Sequence, residues 1–397
     1  MFIQTFVIST IIKGLTIYFV VTIVKFVKDS LLKPTYLRSL FYFLAIFVCF
    51  QLLSQLFNLL FQPQFWDIPF KIMVSLEDPS EYLFRKSLFT QSMYLITCVI
   101  FFVFTMQYLN KKNGIETLLR IAWWGMLLYV GYGFYEFVGF LITGENVDFI
   151  SNRIVKIDKL NASFQILHLG GITIQRMDSL AAEPSMFAYC LVPFTILFYY
   201  LKNRIYILLI IALLLSTSTT AVLGIVLFIL IDSIFFRKSL KLSIGILIVI
   251  FVVQISFTDV FFEFWNFFFG KVMMTEGTGV QSSLERIFFF KSSFNYFLQS
   301  DIFHQMFGYG FGYIRSTDTF STLLVNVGVI GTVVYIVFII YPFVKIPLNS
   351  DYRRGLFMSS IVLLIITLIS VTELYFYHIW FLAALSWHEY LGIKNNT

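Results

Sequence analysis

QILHLGGITIQRMDSLAAEPSMFAY, residues 165–189, starts as a mixed polar segment and ends as the opening turns of a strongly apolar helix. Pro184 suits the first turn of that helix, because proline has no N–H to lose there. Ser179 or Ala182 is the expected cap. Glu183 beside the helix start complements the positive end of the helix dipole. Arg176, Asp178 and Glu183 thus fall where the chain leaves water and enters lipid, forming a charged rim at a membrane face.

On both sides of this rim the chain is a succession of apolar runs. Runs of about 17–25 residues are long enough to cross a bilayer as helices. They occur near 3–24, 39–60, 88–109, 118–142, 184–201, 205–218, 219–236, 242–258, 318–344, 356–373 and 376–393. The expected fold is an all-α polytopic membrane bundle of about eleven spans, within a range of about 10–12, forming one integral membrane domain over residues 1–397. Ser216 to Ala221, STSTTA, is either a tight turn between two of these runs or a kink. Lys13 interrupts the first run, and His388 and Glu389 interrupt the last. No small-residue cleavage site follows the first run, so it reads as a retained span or anchor.

Composition agrees. The 397 residues are 59% hydrophobic and only 13% charged, with a mean hydropathy of +0.85. Soluble domains carry about 25% charged residues, and no polar block here is long enough to build one. A net charge of +6 reads first as a positive-inside bias, not as nucleic-acid binding. Cys49, Cys98 and Cys190 all lie in apolar runs, and no CxxC or Cys/His cluster occurs. Neither a disulfide framework nor a metal site is indicated, and no cofactor is implied.

Lys25, Lys28, Lys33 and Arg38 follow the first run; Lys111, Lys112 and Arg120 the third; Lys202 and Arg204 the fifth; Arg237, Lys238 and Lys241 the seventh; Lys345, Arg353 and Arg354 the ninth. Short basic loops of this kind are cytoplasmic. The alternate loops, near 61–87, 143–183 and 259–317, then face outward, and they are the long ones. Long loops on one face are the expected seat of function. The segments 143–183 and 259–317 also carry Arg153, Lys156, Lys159 and Arg176, then Lys271, Arg286, Lys291 and Arg315.

Within the last of these loops, FFEFWNFFFG at 261–270 resembles an aromatic belt at the interface. QSSLERIFFFKSSFNYFLQS at 281–300 has helical periodicity. Leu284, Ile287, Phe290, Phe294, Phe297 and Leu298 fall largely on one side; Glu285, Arg286, Ser292, Ser293, Tyr296 and Gln299 fall largely on the other. An interfacial amphipathic helix would hold Arg286 at headgroup height. FGYGFGYIRSTDTF at 307–320 is glycine-rich but lacks the Lys-Ser/Thr of a phosphate loop, so Gly308, Gly310 and Gly312 read as a tight turn. No repeat of fixed period appears, which weighs against a transporter built from duplicated bundles; charges inside the runs are few, Lys13, Glu136, Asp232 and Glu373 among them, which weighs against a proton- or ion-coupled carrier.

Two outward arginines on separate loops, Arg176 and Arg286, are suited to clamp a diphosphate bidentately at headgroup depth. Glu183 or Asp178 would accept a proton from an attacking hydroxyl. Arg176, Glu183 and Arg286 are the candidate catalytic residues. Arg153, Asp178, Lys291, His304, Arg315 and Asp318 are candidate substrate contacts.

The order of features resembles the O-antigen polymerase and O-antigen ligase superfamily of bacterial envelope glycosyltransferases. The resemblance rests on RMDSLAAEPSMFAY at 176–189, the Ser/Thr-rich junction LLLSTSTTAVLG at 213–224, LERIFFF in the long loop, then GYGFG, and finally TFSTLLVNVGVIGTVVYIV. It covers roughly residues 176–337; the flanking runs match only in being hydrophobic. It implies an all-helical fold related to the C-type glycosyltransferases and metal-independent transfer from an undecaprenyl-diphosphate-linked oligosaccharide. It also implies a place in the bacterial inner membrane with the active face outward. By position, Arg176 and Arg286 match the family's loop arginines and Glu183 its helix-start acid. Ligase-like members carry His-Asn where this chain reads Asp318-Thr319, which favours a polymerase of repeat units for O-antigen, capsule or exopolysaccharide. The resemblance allows a chain-length regulator as a protein partner. The alternatives are a ligase passing finished glycan to an acceptor, and a lipid-linked oligosaccharide flippase, which is not an enzyme.

Overall fold

The computed structural model describes residues 34–61, 83–145, 147–148, 166–169, 172–181, 183–236, 280–371 and 374–396. The expected spans near 3–24 and 242–258, the aromatic segment at 261–270, and Arg153 lie outside them. The described chain is mostly helical. Its elements are α1 (Pro34–Leu60), α2 (Lys86–Leu109), α3 (Gly114–Thr143), β1 (Ile166–Leu169), β2 (Ile172–Gln175), a 3-10 turn (Ser179–Ala181), α4 (Pro184–Tyr200), α5 (Ile205–Leu215) and α6 (Thr219–Phe235). They continue as α7 (Val280–Gln299), α8 (Ile302–Phe307), α9 (Thr319–Lys345), α10 (Asp351–Ser370) and α11 (Tyr377–Asn396).

Five described helices are long and apolar enough to cross a membrane: Arg38–Leu60 within α1, and α2, α3, α9 and α10. Leu52, Leu60, Trp124, Leu128, Val334 and Val344 stand exposed on them, as befits side chains surrounded by lipid. Helices α4, α5 and α6 are shorter. At 1.5 Å per residue, the 11 residues of α5 reach only about 16 Å, half of a hydrocarbon core of about 30 Å.

The described residues fall into two compact units. One draws on the stretches Ile115–Ser283 and Leu348–Leu363; the other on Ser30–Gly114, Leu284–Pro347 and Leu364–Thr397. In the first, α5 and α6 form a helical hairpin against α4. Tyr199 at the end of α4 meets Tyr206 near the start of α5, at 5.3 Å between ring centroids. It also meets Phe228 in the second half of α6, at 5.6 Å. Its neighbour Tyr200 donates its hydroxyl to Asp232, both fully buried. Helix α5 therefore leaves the end of α4 and α6 returns to it, so residues 216–218 are the hairpin's tip. Within STSTTA, residues 216–218 are thus a tight turn, and residues 219–221 already belong to α6. Ser218 caps α6 by accepting from the Thr220 N–H at 3.2 Å.

In the second unit α2 packs against α11, and α8 against α1 and α9. Helix α9 breaks at Gly328 (φ +65°, ψ −171°), a conformation open essentially to glycine alone. The break leaves carbonyls without their helical partners, and the glycine-rich turn supplies them. Tyr309 N–H donates to the Val325 carbonyl and Gly310 N–H to that of Asn326, each at 2.9 Å. The close approach explains the glycines: a Cβ on Gly328 would overlap the Met306 carbonyl, and one on Gly308 the backbone of Asn326 and Val327. The Asn326 side chain ties both polar groups of Ile314, at 2.8 and 2.9 Å. Farther along α9, Pro342 cannot donate to the Phe338 carbonyl four residues back. The Trp387 indole of α11 donates to it instead, at 3.0 Å.

Helix α7 lies where the periodicity predicts, but it turns a different face inward. Ser293, Tyr296 and Phe297 are buried, whereas Leu284, Phe290 and Leu298 are exposed. Tyr296 and Phe297 join Tyr309, Tyr313, Ile314, Leu324 and Val325 in a buried cluster. The tyrosine ring is an apolar body with a polar tip, and here the body decides.

Candidate functional site

The rim at 176–183 is built by a β-hairpin, a turn and a helix start. Strands β1 and β2 pair antiparallel, Ile166 opposite Gln175 and Leu169 opposite Ile172. Their sequence signal is Gly170-Gly171 between two short apolar runs. Beyond β2 the chain crosses the hairpin tip, where Met177 N–H donates to the Leu215 carbonyl at 3.1 Å. Ser179, in the left-handed region at φ +49°, donates its hydroxyl to the Tyr129 carbonyl of α3 at 2.6 Å. Gly133 of α3 faces Met177 and Ser179, each of which a Cβ would approach at 3.1 Å.

Arg176 is 7% exposed. Its Nε donates to the Thr217 Oγ1 at 2.8 Å and the Ser216 carbonyl at 3.2 Å, and its Nη2 to the Thr217 carbonyl at 3.0 Å. The guanidinium thus sits on carbonyls just beyond the C-terminal end of α5, the favourable end for a cation. Burial pushes its pKa down to about 10, while the charges of Asp178 and Glu183 push it up. Arg176 therefore stays charged at neutral pH, inside the protein.

Asp178 is fully buried. Glu183 is exposed and is itself the N-cap of α4, where Ser179 or Ala182 was expected. Its side chain makes no capping bond; it accepts from the Ser185 hydroxyl at 3.3 Å, while Pro184 takes the first helical turn as expected. The glutamate faces outward because the capping geometry turns the backbone, not the carboxylate, toward the helix.

The other candidates belong to the second unit. Arg286 is half-buried, and its Nη1 donates to the Ser370 carbonyl at 3.0 Å and hydroxyl at 3.1 Å. Like Arg176, it meets a helix C-terminal end, that of α10. Lys291 is exposed on α7, and Arg315 is half-buried in the turn before α9.

His304 and Asp318 take structural places where substrate contacts were expected. His304 is 1% exposed, with one ring nitrogen against Asp301 and the other 2.9 Å from Asn58 Oδ1. Its ring stacks on Tyr309 at 4.0 Å. Burial lowers its pKa, and the hydrogen bond and charge of Asp301 oppose that. Asp318 is buried as the N-cap of α9, accepting from the Ser321 N–H at 2.7 Å and from the hydroxyls of Ser321 and Ser316 at 2.6 and 3.3 Å. Burial raises its pKa, and these bonds oppose that.

Arg85 was not among the candidates. It is 3% exposed at the start of α2, with its guanidinium 5.2 Å from the Tyr313 ring centroid. Its sequence signal, a lone arginine beside a lysine, is too common to single it out. Among the described residues no group of three or more His, Cys, Asp or Glu is placed to hold a metal ion.

Arg176 thus lies on the tip of the α5–α6 hairpin, with the charges of Asp178 and Glu183 acting on it. Of the three, Glu183 alone is exposed, so its carboxylate is the one placed to accept a proton from outside. Set beside known proteins, the chain matches no family model, no curated protein and no solved structure.

Proposed function

We propose that this chain is a membrane glycosyltransferase that polymerises undecaprenyl-diphosphate-linked oligosaccharide repeats at the outer face of a bacterial cytoplasmic membrane. The proposal includes about eleven spans and kinship with the O-antigen polymerases and C-type glycosyltransferases. It rests on the resemblance carried by residues 176–337 and on one structural observation. A charged arginine is held almost fully buried at a helical-hairpin tip, with two carboxylates acting on it.

In the proposed reaction Arg176 holds the donor's diphosphate; Arg286 matches a loop arginine of the family by the resemblance. The hydroxyl oxygen of the acceptor sugar bonds to the donor's anomeric carbon. The bond from that carbon to the diphosphate oxygen breaks, and its electron pair leaves on undecaprenyl diphosphate. The hydroxyl proton passes to Glu183, whose exposed carboxylate is available to it. Guanidinium charge stabilises the leaving group as its negative charge builds.

Chain length in cells tests the assignment. Arg176→Ala and Arg286→Ala are each expected to leave protein levels intact and yield single-repeat glycan. Long chains of normal distribution in both variants would remove the proposal. Loss of the gene that leaves polymer on its carrier would indicate a ligase, and a single-repeat intermediate trapped on the cytoplasmic leaflet a flippase.

A further inference from the structure

We infer that Thr217 is a positioning residue for Arg176: its hydroxyl, fixed at the tip of the α5–α6 hairpin, aims the guanidinium that would bind the anionic donor. The inference rests on the function proposed above and adds a residue to it.

Thr217 has φ +46°. A β-branched residue in the left-handed region is a genuine outlier, because its branched Cβ crowds the backbone there. Glycine takes the same conformation without that conflict. A turn that only had to reverse the chain would be served better by glycine.

Thr217 Oγ1 accepts from Arg176 Nε at 2.8 Å and donates to the Ser216 carbonyl at the same distance. Its own carbonyl accepts from Arg176 Nη2 at 3.0 Å. One residue therefore receives the Nε–Nη2 edge of the guanidinium through two atoms, which fixes the plane of the group. The same two contacts set the direction in which the rest of the planar group points.

The surroundings hold the tip still. Ser216 is buried and donates its hydroxyl to the Leu213 carbonyl at 2.6 Å. Ser218 is buried and caps α6. Met177 ties the rim to the Leu215 carbonyl. Strain in one half-buried residue, braced on both sides and spent on orienting a charge, is the pattern expected where geometry must be exact for chemistry.

The test compares the full-length protein with Thr217→Gly, Thr217→Val and Thr217→Ser. Thermal midpoint in detergent, kcat and KM with a carrier-linked repeat unit, and binding of inorganic pyrophosphate are measured for each. Thr217→Gly relieves the backbone and removes the hydroxyl. It is expected to hold or raise the thermal midpoint while kcat falls about tenfold or more and pyrophosphate binding weakens. Thr217→Ser keeps the hydroxyl and is expected to stay within about threefold of the parent on both readouts. Parental kinetics in the folded fraction of Thr217→Gly and Thr217→Val would overturn the inference, since the hydroxyl would then serve only the fold. If the parent makes no polymer but binds pyrophosphate in a Thr217-dependent way, the proposed reaction fails and the positioning role stands. If neither activity nor binding is present in the parent, both fail.

Discussion

Arg176 keeps its charge because the protein replaces water with oriented oxygens. Burial lowers its pKa and the charges of Asp178 and Glu183 oppose that, leaving it at about 10, while three acceptor atoms of the hairpin tip receive its N–H groups. In the proposed reaction Arg176→Ala removes one donor group aimed at developing charge, for which losses of about 10²–10³ in kcat are typical. Arg176→Lys keeps the charge but not the planar fork and should recover only a minor part of that loss, as the rate of repeat addition by purified variants will show. His304 gives a prediction in pH. Its folded pKa lies below the ordinary imidazole value of about 6.5, so between the two values the unfolded chain binds more protons. Stability contributed by neutral His304 is therefore present above pH of about 6.5 and lost as pH falls toward the folded pKa. Thermal midpoints in detergent should drop across that interval, and His304→Gln should flatten the drop; an unchanged slope in the variant would place the effect elsewhere. The candidacy of Arg176 is legible from its place just before an apolar run. Its partners are not, because they lie 40 and 41 residues along the chain on the tip of another element.

The helices are legible where lipid makes the pattern simple. The apolar runs near 39–60, 88–109 and 118–142 became α1, α2 and α3 almost residue for residue. Three features were not legible in that way. The β1–β2 hairpin is too short to stand out from an outward loop. The inward face of α7 depends on how Tyr296 meets Tyr309 and Tyr313, which no periodicity encodes. The break in α9 reads as a packing motif, Asn-x-Gly-x-x-Gly, until Gly308 is seen against Gly328. Gly328→Ala and Gly308→Ala should each cost about 1–3 kcal/mol in backbone strain, with a steric clash in addition. Loss of monodisperse protein after detergent extraction would register it, and a parental elution profile for both would contradict the break. Trp387→Phe should cost about 1–3 kcal/mol by leaving the Phe338 carbonyl without its donor. In a Pro342→Ala background the helix regains its own N–H, so the Trp387→Phe penalty should shrink. A double-mutant cycle on thermal stability reads that difference, and additive penalties would exclude the compensation.

For the molecule as a whole, low charge content and long apolar runs point to a helical membrane protein, and five described helices are long and apolar enough to cross a membrane. The candidate catalytic arginines divide between the two compact units, Arg176 in one and Arg286 in the other. Each meets a helix C-terminal end, a preference for cations that local sequence cannot reveal because the acceptor helix is remote. The proposed substrate class is the part least written in composition; it rests on the resemblance carried by residues 176–337. The direct measurement is to incubate the purified protein with undecaprenyl-diphosphate-linked repeat units alone and resolve the products by size. A ladder of one-repeat steps from the parent protein, absent with Arg176→Ala, is the predicted result. No ladder from well-folded parent protein, or an undiminished one from Arg176→Ala, would contradict the account.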